Sequence, residues 1–195
     1  MKYLKIYEEF SLVSHLKDRG IDVSKTHVII DDKTEDVYFF LYNLSGQLVG
    51  YQKYNRNYQK TGQSKLDDPR MAKYFTHVSE EGKGKKTAVW GLESLDIMND
   101  DFVFIVEGIF DAARIHEAGY PSLAVLCNNP DISLKNWLKT LPQKKIVIHD
   151  NDKAGRKLIK LGDFAFSVPV GKDINDLNSE NAKTFLDDCL SKSEF

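Results

Sequence analysis

The stretch FVFIVEGIFDAARIHEAG, Phe102 to Gly119, decides the fold. Phe102 to Val106 is a short apolar run of the kind that fills a buried parallel strand. Glu107-Gly108 ends it with a carboxylate and a glycine. Phe110 to Ala118 then carries helical periodicity, and Gly119 is a good C′ stop. The same pattern recurs downstream. LAVLC (123–127) predicts a second strand, with Cys127 buried in it, and Leu134 to Leu141 a second helix. KIVIH (145–149) predicts a third strand, followed by a helix over Ala154 to Leu161 that stops at Gly162. FAFSV (164–168) predicts a fourth strand. Ser179 to Leu190, which contains Cys189, predicts a closing helix capped by Ser179. Strands alternating with single helices specify an α/β fold, a parallel sheet covered on both faces.

Upstream the pattern changes. A loose helical stripe at Leu4, Tyr7, Phe10, Leu12, Val13 and Leu16 closes at Gly20. His27 to Ile30 and Val37 to Tyr42 read as strands, Ser45-Gly46 as a turn, and Leu48 to Tyr51 as the return strand of a β-hairpin. Residues 53–86 are polar, basic and irregular, and composition shifts near Lys86. The expected organisation is a smaller basic α+β subdomain over residues 1–99 and a Rossmann-like parallel domain over 100–195.

With 195 residues, 42% apolar, and eleven Phe, nine Tyr and two Trp, the chain can bury a real core and is not wholly disordered. No apolar run approaches the roughly 20 residues that span a bilayer, and MKYLKIYEEF lacks the apolar centre of a signal peptide. The expectation is a cytoplasmic protein with no membrane partner. Two cysteines supply neither a four-ligand zinc site nor a disulfide framework. The five histidines show no zinc spacing, and His149, pointing away from Asp150, reads as a core or supporting residue. No serine sits in a nucleophile-elbow context. The charge is uneven. Lys53 to Lys86 holds nine Lys/Arg against four Asp/Glu, a local +5 that leaves −7 for the rest of a chain totalling −2. A basic segment beside an acidic remainder suits a polyanion in one place and metal ions in another.

In open α/β sheets chemistry gathers at the C-terminal strand ends. Three predicted strands deliver acids there: Glu107, with Asp111 one turn on; Asp150 and Asp152; and Asp173, with Asn175 and Asp176 following. Crowded carboxylates repel unless cations neutralise them. Oxygen ligands without His or Cys select a hard cation, Mg²⁺ or Mn²⁺, which shares its shell with phosphate oxygens. Taken singly, each acid has a plainer reading: Asp152 alone reads as a cap for the helix starting near Ala154. Three consecutive strand ends favour the metal site.

VFIVEGIFDAARIHEAG followed by IVIHDNDKAGRKL resembles the Toprim domain, whose signature is a strand-end Glu-Gly and a later Asp-x-Asp. Upstream, LYNLSGQLVGYQKYNRN, DPRMAKYF and VWGLESL, with HLKDRGIDVSKTHV before them, resemble the catalytic core of bacterial-type primases and phage primase–helicases. The resemblance covers roughly residues 12–188. It implies a Toprim sheet in the second half and a DNA primase that makes short RNA primers on a single-stranded DNA template from nucleoside triphosphates. It places metal ligands at Glu107, Asp111, Asp150, Asp152 and Asp173, with Glu107, Asp150 and Asp152 catalytic. Asn175 stands where many bacterial primases carry a second acid, as in phage-type members, and the chain is expected to be of phage or mobile-element type. Lys73 matches a family Lys-Tyr pair, and Lys53 and Arg56 compete for an upstream basic position. Such primases usually carry a zinc module; this sequence shows no zinc-ligand spacing, helicase pattern or Walker A loop, and none is expected. Template recognition and helicase coupling are therefore expected from partners.

In the basic half, Lys53, Arg56, Lys60, Lys65, Arg70, Lys73, Lys83, Lys85 and Lys86 interleave with Tyr51, Tyr54, Tyr58, Tyr74 and Phe75. Basic groups neutralise phosphates and aromatics stack on unpaired bases, a combination that fits single-stranded nucleic acid. A solvated loop surface with its aromatics turned inward is the plainer alternative. Lys153 and Lys172 flank the acids and are expected, with Lys53, Arg56 and Lys73, to hold template or triphosphate. Two rival functions use the same residues: a Toprim nuclease that activates water, and a non-catalytic accessory that binds DNA.

Overall fold

The computed structural model describes residues 11–79, 87–98, 101–153 and 155–193. Leu4, Tyr7, Phe10, Lys83, Lys85, Lys86 and Ala154, each named above, lie outside the described residues. Helix α1 (Leu12–Asp18) starts where the Ser11 hydroxyl accepts from the Ser14 amide, and it buries Leu12 and Leu16. Four antiparallel strands follow in spatial order: β1 (Val28–Asp31), β2 (Asp36–Tyr42), β3 (Leu48–Asn55) and β4 (Tyr74–Val78). The β2–β3 turn is fixed by the Asn43 side chain, which accepts from the amides of Ser45 and Gln47. Strand β3 runs on to Asn55, four residues beyond the expected Tyr51, because Tyr51–Tyr54 find partners on both sides in β2 and β4.

A short helix, α2 (Ser94–Met98), leads into the second sheet. Its elements are β5 (Phe102–Val106), α3 (Ile109–Glu117), β6 (Ser122–Ala124), α4 (Ile132–Thr140), β7 (Lys144–His149), β8 (Phe164–Ser167) and α5 (Ser179–Lys192). The sheet is parallel throughout, in the order β6-β5-β7-β8. Strand alternation sorts its core into two faces. Phe104, Val106, Ile146 and Ile148 pack with Ile109, Ala112, Ile115, Ala182 and Leu186 from α3 and α5. Val103, Ile105 and Val147 pack on the opposite face with Leu134 and Leu138 of α4 and with Leu158 and Leu161. The first face is continuous with Val37, Phe39 and Leu41 of β2, so one apolar core joins the two sheets. Phe110 is its keystone, edge-on to Tyr54 at 4.8 Å and to Phe39 at 5.6 Å between ring centroids. Residues 89 and 90 stitch the sheets as well: Val89 bridges to Tyr42 and Trp90 to Ala124.

Three local expectations need correction. Strand β6 ends at Ala124 and Cys127 is half-buried beyond it, because Leu126 adopts φ +60° and donates its amide to the Glu107 carbonyl. That left-handed backbone turns the chain out of the sheet. The segment Gly155–Leu161 winds as a 3₁₀ helix rather than an α-helix. Seven residues at about 2.0 Å rise cover about 14 Å, against about 10.5 Å for an α-helix, which suits a connection that must run back along the sheet. The cap of α5 is Asn178, whose side chain accepts from the Asn181 amide at 2.8 Å, and Ser179 is the first helical residue. Cys189 is buried in α5, and burial pushes its thiol up to about 12, an inert packing residue. Among the described residues no helix is long and apolar enough to cross a membrane.

Candidate carboxylate site between the two sheets

Strands β5 and β7 are neighbours in register, Ile105 opposite Val147, so they leave the sheet within one residue of the same level. Glu107 and Asp150 are the first residues past that edge. Asp111 rises from the first turn of α3, and Asp173 follows β8, the outer neighbour of β7. A cavity of about 360 Å³ collects them: Glu107, Asp111, Asp150, Asp152 and Asp173 line it together with His149. Its facing wall comes from the N-terminal half and carries Arg19, Gln52, Lys60 and Tyr74.

Two glycines permit this crowding. A Cβ on Gly108 would stand 2.7 Å from Asp111 Oδ2, and one on Gly155 would stand 2.4 Å from the Asp150 carbonyl oxygen. Gly108 thus lets the Asp111 carboxylate sit against the backbone, and Gly155 lets its own chain pass close to the Asp150 backbone. The Gly155 amide donates to Asp152 Oδ1 at 2.6 Å, so Asp152 performs the capping role as well as lining the cavity. Asp173 and Asp176 form a reciprocal capping box on the short 3₁₀ helix Ile174–Asp176. His149 is buried, and its Nδ1 donates to the Asp150 carbonyl at 2.9 Å.

The electrostatics are those of an acid cluster short of cations. Desolvation, then Asp150 and Asp152, raises Glu107 above the ordinary carboxyl range. Desolvation, then Asp173 and Asp152, does the same to Asp150. Asp111, desolvated and facing Asp173 and Asp150, is pushed up to about 8. In the unfolded chain Asp111 ionises near pH 4, so between pH 4 and 8 the folded state holds a proton the unfolded state has lost. Its contribution therefore favours folding at low pH and fades as pH rises through about 8. In chelator-treated protein, urea unfolding should show wild type losing stability relative to Asp111→Asn as pH climbs from 5 to 9. Added Mg²⁺ should remove that difference; a constant gap between the two proteins would refute the assignment.

Arg19 is the residue that sequence reading missed. Its Nε donates to Asn175 Oδ1 at 2.7 Å, one terminal nitrogen donates to the Tyr74 hydroxyl at 3.3 Å, and its guanidinium lies 3.6 Å from the Phe110 ring centroid. Asn175 in turn donates to the carbonyls of Arg19 and Phe110, each at 3.0 Å. At the position where the resemblance suggests an exchanged acid, the amide thus ties the N-terminal half to the Toprim-like half, and a carboxylate has no protons to donate there. Asn175→Ala removes a donor from each of two carbonyls and the acceptor of the Arg19 Nε, and is expected to cost about 2–3 kcal/mol in urea unfolding. A loss under about 0.5 kcal/mol, within the noise of such measurements, would mean water replaces the clamp.

The expected nucleic-acid contacts separate into groups. Lys53 is buried, with its ammonium 3.4 Å from Asp36 Oδ1 and 5.1 Å from the Tyr58 ring. Arg56 is held by Glu35, its Nε at 3.1 Å and a terminal nitrogen at 2.7 Å. Lys73 sits 5.9 Å from the Tyr54 ring centroid. Arg56, Lys73 and Arg19 surround His15, which shares a 2.8 Å hydrogen bond with the Tyr54 hydroxyl. Burial first, and then these three cations, hold His15 below its ordinary pKa. Lys153 and Lys172 are exposed beside Asp152 and Asp173. Of the aromatics, Tyr54 is in the core, whereas Tyr51 packs on Tyr38, Phe75 and His77 on the sheet's other face.

The donor set can be tested against a hard divalent cation. Among the described residues no three Asp, Glu, His or Cys side chains stand together as a ready cage. Mg²⁺ does not ask for one: it takes one or two carboxylates and completes its shell with water and phosphate. Oxygen-only donors with raised carboxyl pKa values at Glu107, Asp111 and Asp150 fit that habit.

No protein-family profile matches the chain. A curated relative, the uncharacterized protein MG010 of Mycoplasma genitalium, is 28% identical over 153 residues, 70% of this chain and 63% of the relative. Solved structures are similar at lower identity. The Aquifex aeolicus primase, in its zinc-binding and RNA polymerase domains, matches 97% of this chain and 48% of its own, at 21% identity and TM-score 0.62. A DnaG primase catalytic domain bound to single-stranded DNA matches 92% of this chain and 58% of its own, at 18% identity and TM-score 0.61. The chain thus spans about half the length of the primase structures it matches. With its parallel sheet, its antiparallel companion and the acid-lined cleft between them, the chain has the fold of the DnaG primase catalytic core.

Proposed function

We propose that the chain is a primase-type nucleotidyltransferase that synthesises short RNA primers on single-stranded DNA using nucleoside triphosphates and Mg²⁺ or Mn²⁺. The observation that carries this reading is the convergence of acids from three strand ends on one cavity whose opposite wall is basic, within a primase-core fold. Glu107, Asp150 and Asp152 would hold the metal, with Asp111 and Asp173 orienting its waters or a second ion. Bound metal supplies activation of a primer 3′-hydroxyl and neutralisation of charge on the α-phosphate and leaving pyrophosphate.

The protein's own part is positioning and electrostatics. Arg19, locked by Asn175 and Tyr74, places a fixed positive charge beside Asp111. The cations around His15 and Tyr54 form a path for a polyanion along the N-terminal half, and Lys153 and Lys172 extend it at the rim. We treat residues 1–99 as the template-side subdomain and 100–195 as the metal-side domain, with a helicase or template-recognition protein as partner in the cytoplasm.

The test is primer synthesis on mixed-sequence single-stranded DNA with labelled ribonucleotides and Mg²⁺ or Mn²⁺, run beside Asp150→Asn. Short labelled products missing from the mutant support the reading. Shortened template without new product would replace it with a nuclease, and DNA binding without metal-dependent turnover in either protein would replace it with an accessory role.

A further inference from the structure

Two cations face the carboxylates, and they are built differently. Arg19 is clamped through Asn175 and Tyr74 and laid on Phe110, and its charge acts on Asp111. Lys60 lines the same cavity from the loop after β3. The backbone beside it is pinned: the Gln59 carbonyl accepts from the amides of Thr61 at 2.8 Å and Lys73 at 3.3 Å. The side chain itself is exposed, and among the described residues it makes no ion pair within 4.0 Å. A four-carbon stem on an anchored loop, opening into a cavity of acids, is a movable charge on a fixed base.

We propose that Lys60 is the resident counter-ion of the cavity, competing with divalent metal for Glu107 and Asp150 and serving the anionic tail of a nucleoside triphosphate once metal is bound. The proposal deepens the primase reading and rests on it. With no divalent ion present, the Lys60 ammonium, lining the same cavity as Glu107 and Asp150, offsets the repulsion between them and eases both carboxyls. His149 adds to it at Asp150 alone. A divalent ion entering the cavity meets the ammonium as a like charge, so part of its attraction to the acids is spent displacing Lys60. The displaced ammonium then has a compact positive charge to offer phosphate oxygens at the cavity mouth, which suits a lysine better than the locked Arg19.

The test separates this role from the overall function. Mn²⁺ is titrated into metal-stripped full chain, with free Mn²⁺ read by electron paramagnetic resonance, for wild type, Lys60→Met and Lys60→Arg. Lys60→Met should bind Mn²⁺ about threefold to tenfold more tightly than wild type, with Lys60→Arg close to wild type. Tighter binding is a gain, which a misfolded variant cannot imitate. In the Mn²⁺-loaded proteins, a non-hydrolysable triphosphate analogue should bind about fivefold or more weakly to Lys60→Met, and Lys60→Arg should restore it. Equal Mn²⁺ affinity in wild type and Lys60→Met overturns the proposal while leaving the metal site standing. No saturable Mn²⁺ binding by wild type overturns the functional reading itself.

Discussion

Asp150→Asn is expected to lower primer synthesis by about a hundredfold to a thousandfold, with the melting temperature unchanged or raised. The two effects have one cause. Asp150 stands among Asp173 and Asp152 with its carboxyl raised, so removing its charge relieves repulsion in the fold and removes a metal-holding oxygen. A residue kept for stability would show the opposite pairing. Asp152→Asn sharpens the test, because an amide oxygen still accepts from the Gly155 amide. Loss of turnover there therefore reports on the metal role and not on the cap. Isothermal metal titration beside the primer assay should show weakened Mn²⁺ binding in both variants. Full activity in the Asp150→Asn, Asp152→Asn double variant would remove these residues from the mechanism.

The second large effect is on folding. Phe110→Ala is expected to cost about 3–5 kcal/mol, the range for deleting a buried aromatic ring. For a chain of this size that lowers the melting point by about 8–15 °C. The ring touches Phe39 of β2, Tyr54 of β3 and, at 6.4 Å, Tyr74 of β4, and it carries the Arg19 guanidinium on its face. Its removal opens a cavity where the two sheets meet and loosens the cation beside Asp111. Calorimetry should show one cooperative transition in wild type, because the core is continuous across the sheets. A cost near 1 kcal/mol, about that of an average substitution, would mean that the halves fold without leaning on Phe110.

These outcomes also mark how far the sequence reaches. FVFIV predicted β5 end to end, and the β7 and β8 runs were placed to within one residue. Buried parallel strands announce themselves as short apolar runs, and the acids that end them fall at the same sheet edge by geometry alone. The grouping of Glu107, Asp111, Asp150, Asp152 and Asp173 thus follows from local pattern plus one topology, and all five line one cavity. Turn conformations were harder. Nothing in LAVLC says that Leu126 takes a left-handed backbone, since that is imposed by the Glu107 carbonyl it must reach.

Residue type alone does not say which way a basic side chain faces. Lys53, counted among the nucleic-acid contacts from composition, is buried with Asp36 because β3 extends past Tyr51. Arg19, which no motif singled out, reaches the acids because Asn175, 156 positions away, holds it there. Lys60 joins them only because the loop after β3 folds over the parallel sheet's edge. The sequence by itself determined the strands, the sheet edge and the acids, because short-range periodicity and strand parity encode them. Which cations answer those acids was decided by the tertiary structure alone, since a charge's partner depends on distances that no local pattern records.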